Sequence, residues 1–146
     1  MADLSEPRVI AVGGPTASGK TALSVALAKT FDGEIINADS MQLYKGLDIG
    51  TAKPSPEEQQ GIPHHLLDFL PPETAYSVAD FTAAADPLIR EISGRGRLPF
   101  VVGGTGLYIT SLLNGMSFAP EKTDPAIRAR LQAQADAGDG AALYAR

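Results

Sequence analysis

One glycine-rich segment carries the clearest chemical signal in this sequence. Residues 14–21 read GPTASGKT, which satisfies the phosphate-loop pattern G-x-x-x-x-G-K-[ST] without a mismatch. Glycines let the backbone curl so that several N–H groups face one anion, and the Lys20 ammonium adds a full charge. The Thr21 hydroxyl is placed to bind Mg²⁺. We therefore predict a diphosphate or triphosphate site formed by Gly14, Pro15, Thr16, Ala17, Ser18, Gly19, Lys20 and Thr21.

The residues on either side of this loop predict the elements that position it. Residues 8–12 form a short apolar run that stops at Gly13, and residues 20–30 carry apolar side chains at helical spacing. A strand, a glycine loop and a helix in this order are what a phosphate loop requires.

Strands and helices are predicted to alternate along the rest of the chain. Residues 34–37 and 98–102 are short apolar strand candidates. A helix over residues 77–94, capped by Ser77 and Asp80, separates them and contains Pro87, which should kink it. A second glycine loop and a helix to residue 113 follow the later strand. This alternation predicts an α/β fold with a parallel sheet, helices on both faces and right-handed crossovers.

The remaining segments give weaker patterns. Residues 44–72 contain too many glycines and prolines for long elements, although a capping box at Ser55 predicts a short helix and residues 64–69 could form a strand. Asp124 and Pro125 predict the start of a helix to about residue 137, followed by another helical stretch over residues 140–146.

Polar side chains follow the predicted strands. Asp39 and Ser40 come after the second strand, and Thr105 lies in the later glycine loop. Ligands of open α/β sheets bind at the carboxyl ends of the strands. Asp39 could therefore accept a proton from a nucleophile, or it could merely cap the turn that follows, and spacing alone does not decide. For the loop of Thr105, close packing of Gly103 and Gly104 is the simpler explanation.

The overall composition excludes several classes of protein. The 146 residues are 44% hydrophobic and suit one globular domain, and the absence of cysteine excludes disulfides, thiolate metal sites and a cysteine nucleophile. No apolar run approaches the roughly 18 residues of a membrane span, so we expect a cytoplasmic protein without a membrane partner. We also expect it to be a monomer. The net charge of −5 lacks the basic character typical of nucleic-acid binders.

Several residue types give negative or structural indications. No apolar strand ends in the aspartate with which ATPases and GTPases hold Mg²⁺. His64 and His65 are adjacent, so on a strand they point in opposite directions and are expected to make structural hydrogen bonds rather than bind one metal ion. Arg128 and Arg130 do not share a helix face, so at most one should reach the phosphate site.

Six segments together resemble one known family, the tRNA dimethylallyltransferases, in their order and spacing. They are GPTASGKT (14–21), ADSMQLY (38–44), DIGTAKP (48–54), PHHLLD (63–68), YSVADF (76–81) and VVGGTGLY (101–108). The resemblance spans nearly the whole chain, and all segments but the first are distinctive of this family and its adenylate isopentenyltransferase relatives. It implies a fold like that of the P-loop-containing nucleoside triphosphate hydrolases.

The resemblance also implies a reaction and roles for individual residues. The reaction is transfer of a dimethylallyl group from dimethylallyl diphosphate to N6 of the adenosine 3′-adjacent to the anticodon of tRNA, releasing diphosphate. Lys20 and Mg²⁺ on Thr21 would stabilise the leaving diphosphate, while Asp39 would accept the proton of the amine. Thr105 would contact the diphosphate and the reacting centre. The implied tRNA contacts are Asp39, Ser40, Met41, Gln42, Thr105 and Arg128.

Family members are longer than this chain, which implies two parts here. Residues 1–115 would be the N-terminal part of a catalytic core, and residues 116–146 would begin a helical tRNA-binding insertion. The chain is thus expected to be a fragment, with uncertain activity by itself. Two alternatives stay open, namely a small-molecule kinase that binds ATP in the phosphate loop and a phosphate-binding module without catalysis.

Overall fold

A sheet of parallel strands lies at the centre of the computed structural model, which describes residues 7–116, 118 and 124–145. Its strands are β1 (Ile10–Gly13), β2 (Gly33–Asn37), β3 (His64–His65) and β4 (Leu98–Gly103), in the spatial order β1-β4-β2-β3. The helices are α1 (Lys20–Thr30), α2 (Pro56–Gln59), α3 (Val78–Gly94), α4 (Gly106–Leu113), α5 (Pro125–Asp136) and α6 (Gly140–Tyr144). All strand pairs are parallel, so the predicted α/β fold is confirmed.

Helices cover both faces of the sheet, because successive side chains of a strand point to opposite sides. Ile35 of β2 packs with Phe100 of β4 against α1, whereas Ile36 and Val101 pack on the other side against α3 and α4. The helical contribution to the second core comes from Phe81, Ala85, Ile89, Ile92 and Tyr108. Burial of both faces explains the apolar run of β4 and the adjacent isoleucines of β2, whereas the edge strand β1 is mostly exposed.

The strand register brings three functional loops to one edge of the sheet. Gly13 of β1 pairs with Gly103 of β4, and Asn37 of β2 pairs with Val102 of β4. The carboxyl ends of these strands therefore lie level with one another. The phosphate loop, Asp39 and Thr105 follow directly from these ends, as the sequence predicted.

Local capping patterns predicted several helix starts correctly. Ser55 with Glu58 and Ser77 with Asp80 form reciprocal capping boxes at α2 and α3, and the Asp124 side chain accepts a hydrogen bond from the Ala126 N–H at the start of α5. Among the described elements, α5 packs mainly against α6.

The strand predicted over residues 64–69 is wrong in length. Only His64 and His65 pair with β2. Leu66 and Asp68 have φ angles of 55° and 53°, in the left-handed region that breaks an extended strand. The chain therefore leaves the sheet after two residues and runs on as a loop.

A buried carboxylate fastens β2 to the neighbouring segments on the side away from the phosphate loop. The Glu34 side chain is 4% exposed. Its Oε2 accepts hydrogen bonds from His65 Nε2 at 2.6 Å and Arg95 Nη2 at 2.8 Å, and its Oε1 accepts one from Arg97 Nη1 at 3.0 Å. Burial by itself would raise the pKa of Glu34, but the hydrogen bonds from His65, Arg97 and Arg95 outweigh it and lower the pKa to about 2.

This low pKa predicts a specific dependence of stability on pH. Because the folded pKa of Glu34 lies below its ordinary value of 4.5, its contribution is complete above pH 4.5 and is lost as pH falls towards 2. Glu34→Gln should lower the free energy of unfolding by roughly 3 kcal/mol at pH 7 and by roughly 1 kcal/mol at pH 3. Urea unfolding of both proteins at the two pH values measures this difference.

Glu91→Gln is the matched control for that prediction. Glu91 also contacts Arg95, but its side chain is 62% exposed, so its loss should change the free energy of unfolding by no more than about 0.5 kcal/mol. The parent and Glu34→Gln are compared by their free energies of unfolding. If the difference between them were the same at pH 7 and pH 3, the stabilisation could not come from the ionised carboxylate.

Candidate active site

The phosphate loop connects β1 to α1 and is closed by its own side chains. Lys20 Nζ donates a hydrogen bond to the Pro15 carbonyl at 2.5 Å, and Ser18 Oγ donates one to the same oxygen at 2.7 Å. Ala17 and Gly19 have φ angles of 61° and 83°, and these left-handed conformations produce the tight curl. The curl leads into the N-terminus of α1, which favours negative charge.

Two cavities meet beside this loop. The smaller, of about 360 Å³, is lined by residues 16–21 together with parts of β2 and β4. The larger, of about 900 Å³, is lined by residues 39–41, residues 46–51 and the loop of Thr105. Thr16, Asp39 and Thr51 line both cavities. A phosphate group in the smaller cavity and an acceptor in the larger one would thus meet at Asp39.

Asp39 caps the next turn with one oxygen and leaves the other available. Its Oδ1 accepts hydrogen bonds from the N–H groups of Met41 at 2.9 Å and Gln42 at 3.3 Å. Its Oδ2 has no hydrogen-bond partner within the described part of the chain and lies 3.6 Å from where a methyl group on Gly104 would be. The capping role is therefore present, and it holds the carboxylate still without occupying Oδ2. Proton acceptance by Asp39 stays a prediction.

The glycine loop after β4 confirms the packing explanation for Gly103 but not for Gly104, where a methyl group would make only ordinary contacts. A methyl group on Gly103 would lie 2.2 Å from the Ala38 carbonyl oxygen, so only glycine fits. Thr105 Oγ1 accepts a hydrogen bond from the Ser40 N–H at 2.9 Å and donates one to Ser40 Oγ at 3.2 Å. Thr105 thus fixes Ser40 beside Asp39, and its contact with substrate stays a prediction.

The three residues expected near the target nucleotide are divided between the two cavities. Ser40 and Met41 line the larger cavity, and Met41 is 49% exposed. Gln42 lines the smaller one, where its amide nitrogen donates hydrogen bonds to the carbonyl oxygens of Thr51 at 3.0 Å and Ala52 at 3.1 Å. The amide of Gln42 is therefore engaged in holding a loop.

Arg128 lies apart from these residues. It is exposed on α5 and lines only a separate groove formed with its own helix. Arg130 is exposed on the same helix. The structure therefore does not bring Arg128 to the phosphate loop, and its implied contact with tRNA stays a prediction.

The two histidines make the structural hydrogen bonds that the sequence predicted. His64 Nδ1 lies 2.8 Å from the Ile62 carbonyl, while His65 contacts Glu34. Burial lowers the pKa of His64 despite the opposing effect of the Ile62 carbonyl, which favours the neutral ring. His64 also lines the smaller cavity, which the sequence did not indicate. No group of three or more His, Asp and Glu side chains suited to a metal ion occurs among the described residues.

Sequence reasoning missed a buried lysine beside the site. The Lys53 side chain is 6% exposed and forms ion pairs with Asp48 at 2.8 Å and Asp68 at 2.7 Å. Burial would lower the pKa of Lys53, but the hydrogen bonds to Asp48 and Asp68 raise it above its ordinary value. Spacings of five and fifteen residues follow no helix or strand period, so only the folded path of the loop could reveal this cluster.

The fold and the site together define a P-loop α/β protein of the nucleoside triphosphate hydrolase type. The family model described as IPP transferase matches residues 42–146. The chain belongs to the IPP transferase family.

Named relatives and solved structures agree with this assignment. A tRNA dimethylallyltransferase of Anaeromyxobacter dehalogenans is 54% identical over 139 residues, which are 95% of this chain and 46% of that relative. The crystal structure of full-length tRNA isopentenylpyrophosphate transferase from Bacillus halodurans matches with a TM-score of 0.77 and 49% identity over 90% of this chain and 44% of that one. A eukaryotic dimethylallyltransferase acting on tRNA matches with a TM-score of 0.71 and 36% identity over 82% of this chain and 33% of that one.

The chain covers only part of each of these relatives. It spans less than half of the length of the relatives just named. None of the helices in the described ranges has the length and apolarity needed to cross a membrane.

Proposed function

We propose that the complete gene product carrying this sequence transfers a dimethylallyl group from dimethylallyl diphosphate to N6 of the adenosine 3′-adjacent to the anticodon in tRNA, with release of diphosphate. The observation that supports it best is the position of Asp39, whose carboxylate lies where the phosphate-loop cavity meets a larger cavity. The relatives are named as tRNA dimethylallyltransferases or tRNA isopentenylpyrophosphate transferases, and these names favour the same reaction.

The residues suit the two demands of this chemistry. As the bond between the allylic carbon and the diphosphate oxygen breaks, negative charge grows on the leaving group, and Lys20 with the loop N–H groups would stabilise it. The N6 amine forms the new bond to carbon and must lose a proton. Asp39 Oδ2 is available to accept that proton, because the capping bonds use Oδ1.

The phosphate-loop cavity offers an oxygen ligand for a magnesium ion. Thr21 lines this cavity, and its hydroxyl together with diphosphate oxygens and water would be a suitable set of hard oxygen ligands for Mg²⁺. The ion would neutralise part of the charge on the diphosphate. We therefore propose Mg²⁺ as the cofactor, held on the protein side by Thr21.

Calorimetric titration of the chain tests the nature of the phosphate ligand. With Mg²⁺ present, the chain is titrated with the thio analogue of dimethylallyl diphosphate and, separately, with ATP. Tighter binding of the prenyl analogue is expected. Tighter binding of ATP would instead favour the kinase alternative, to which the comparisons give no support.

A further inference from the structure

Residues 45–54 form a loop that borders both cavities. Gly46 to Thr51 line the larger cavity, and Thr51 and Ala52 line the smaller one. The loop contains no helix or strand. Backbone and side-chain hydrogen bonds hold its two ends, and the side chains of Lys53 and Gln42 hold the stretch between them.

Lys53 holds the part of the loop around Asp48. Its Nζ donates hydrogen bonds to the Tyr44 carbonyl at 2.6 Å, to Asp48 at 2.8 Å and to Asp68 at 2.7 Å. The ammonium is held from three sides, while the two carboxylates are 66% and 53% exposed. Loss of the lysine would leave these carboxylates in contact with water, so it should loosen the loop without leaving an unpaired charge in the core.

Gln42 holds residues 51–52, because its side-chain amide donates hydrogen bonds to the carbonyl oxygens of Thr51 and Ala52. Thr51 Oγ1 in turn donates a hydrogen bond to the Leu47 carbonyl at 2.5 Å, which closes the loop on itself. Ala52 has a φ angle of 51°, an uncommon conformation for a residue with a side chain, and it persists only where surrounding contacts fix it.

The fastened loop presents apolar side chains to the larger cavity. Ile49 is 99% exposed, and Leu47 and Met41 in the same cavity are 38% and 49% exposed. These side chains stand around the space that Asp39 and Thr105 also line. Covering a fully exposed isoleucine with an apolar surface is favourable, because it removes the side chain from water. The flat face of a nucleobase is such a surface.

We propose that Ile49 contacts the base of the acceptor nucleotide or its immediate neighbour, and that Lys53 is a positioning residue that holds Ile49 there. This inference rests on the proposed transfer to tRNA. The contact would orient the nucleotide so that its amine reaches Asp39, while the phosphate loop acts independently on the diphosphate.

The first test replaces Ile49 in the complete gene product. In Ile49→Ser the KM for an anticodon stem-loop RNA should rise about tenfold, because the burial of one aliphatic side chain is lost. The Kd of the dimethylallyl thiodiphosphate analogue should stay within about twofold, since the phosphate loop is untouched. Leu113→Ser is the control, because Leu113 is 52% exposed on α4 and lines neither cavity. An unchanged KM, or an equal rise in the control, would overturn the proposal.

The second test separates positioning by Lys53 from a general effect on folding. Lys53→Met and Ile49→Ser are measured singly and together, with Lys45→Met as control for the charge. If Lys53 acts by holding Ile49 in place, Ile49→Ser should raise KM by less than about threefold in the Lys53→Met background. The same change should raise KM about tenfold in the parent, so the two effects would be strongly non-additive. Additive effects would refute the positioning role. Absence of transfer by the unmodified gene product would instead remove the proposed function itself.

Discussion

Replacement of Lys20 by alanine is expected to weaken binding of the dimethylallyl diphosphate analogue by about a hundredfold or to abolish it. The side chain supplies the full positive charge of the loop, and a charge-assisted hydrogen bond to a phosphate contributes roughly 1.5–3 kcal/mol. Lys20 also closes the loop through the Pro15 carbonyl, so its removal loosens the backbone N–H groups that face the anion. Calorimetric titration with Mg²⁺ measures the change.

Lys29→Ala is the control for that experiment. Lys29 lies on the same helix, α1, but is exposed and bonds to Gln60, so the same change in net charge occurs away from the cavity. Its effect on the Kd should be within about twofold, because exposed charges at a distance are screened by salt. Comparable losses in both variants would mean that the diphosphate does not bind at the phosphate loop.

The elements that obey local rules could be predicted from the sequence. The phosphate loop with α1, and the caps at Ser55, Ser77 and Asp124, depend on residues within a few positions of each other, and the structure confirms them. The meeting of the phosphate loop, Asp39 and Thr105 at one edge followed from the parallel sheet alone. These predictions succeeded because parallel strands place their carboxyl ends together.

The features that depend on the path of the irregular segment could not be predicted. The early end of β3 follows from left-handed backbone at Leu66 and Asp68, a conformation that is uncommon for leucine and more readily adopted by aspartate. The same path brings Asp68 to Lys53 across fifteen positions. The direction of the Gln42 amide likewise depends on where residues 51–52 lie. Such contacts arise from tertiary structure, and no periodic pattern records them.

Sequence reasoning left open whether Asp39 caps a turn or acts in catalysis. Capping and catalysis looked like competing explanations, because each would use the carboxylate. The structure gives Oδ1 to the N–H groups of Met41 and Gln42, and this fixes the orientation of Oδ2. Fixed orientation is itself an advantage for a general base, since proton transfer requires a donor and acceptor at hydrogen-bonding distance.

Asp39→Ala should therefore leave the Kd of the diphosphate analogue within about threefold, because an ionised carboxylate has no proton to donate to an anionic diphosphate. In the complete gene product it should reduce the rate of prenyl transfer to an anticodon stem-loop RNA by about 10² to 10⁴, the usual contribution of a general base. Single-turnover assays with saturating substrates measure that rate. Equal losses of analogue binding in Asp39→Ala and Lys20→Ala would contradict this division of roles.

Asp39→Asn distinguishes the two functions of the carboxylate. Asparagine caps turns about as well as aspartate, so its side-chain oxygen can still accept the hydrogen bonds from Met41 and Gln42, but it cannot take up a proton. If the carboxylate acts in the chemical step, Asp39→Asn should be as slow as Asp39→Ala while its unfolding transition stays close to that of the parent. If the loss in Asp39→Ala came only from the missing cap, Asp39→Asn would recover most of the rate. Asp39 would then be a structural residue, and another group would accept the proton.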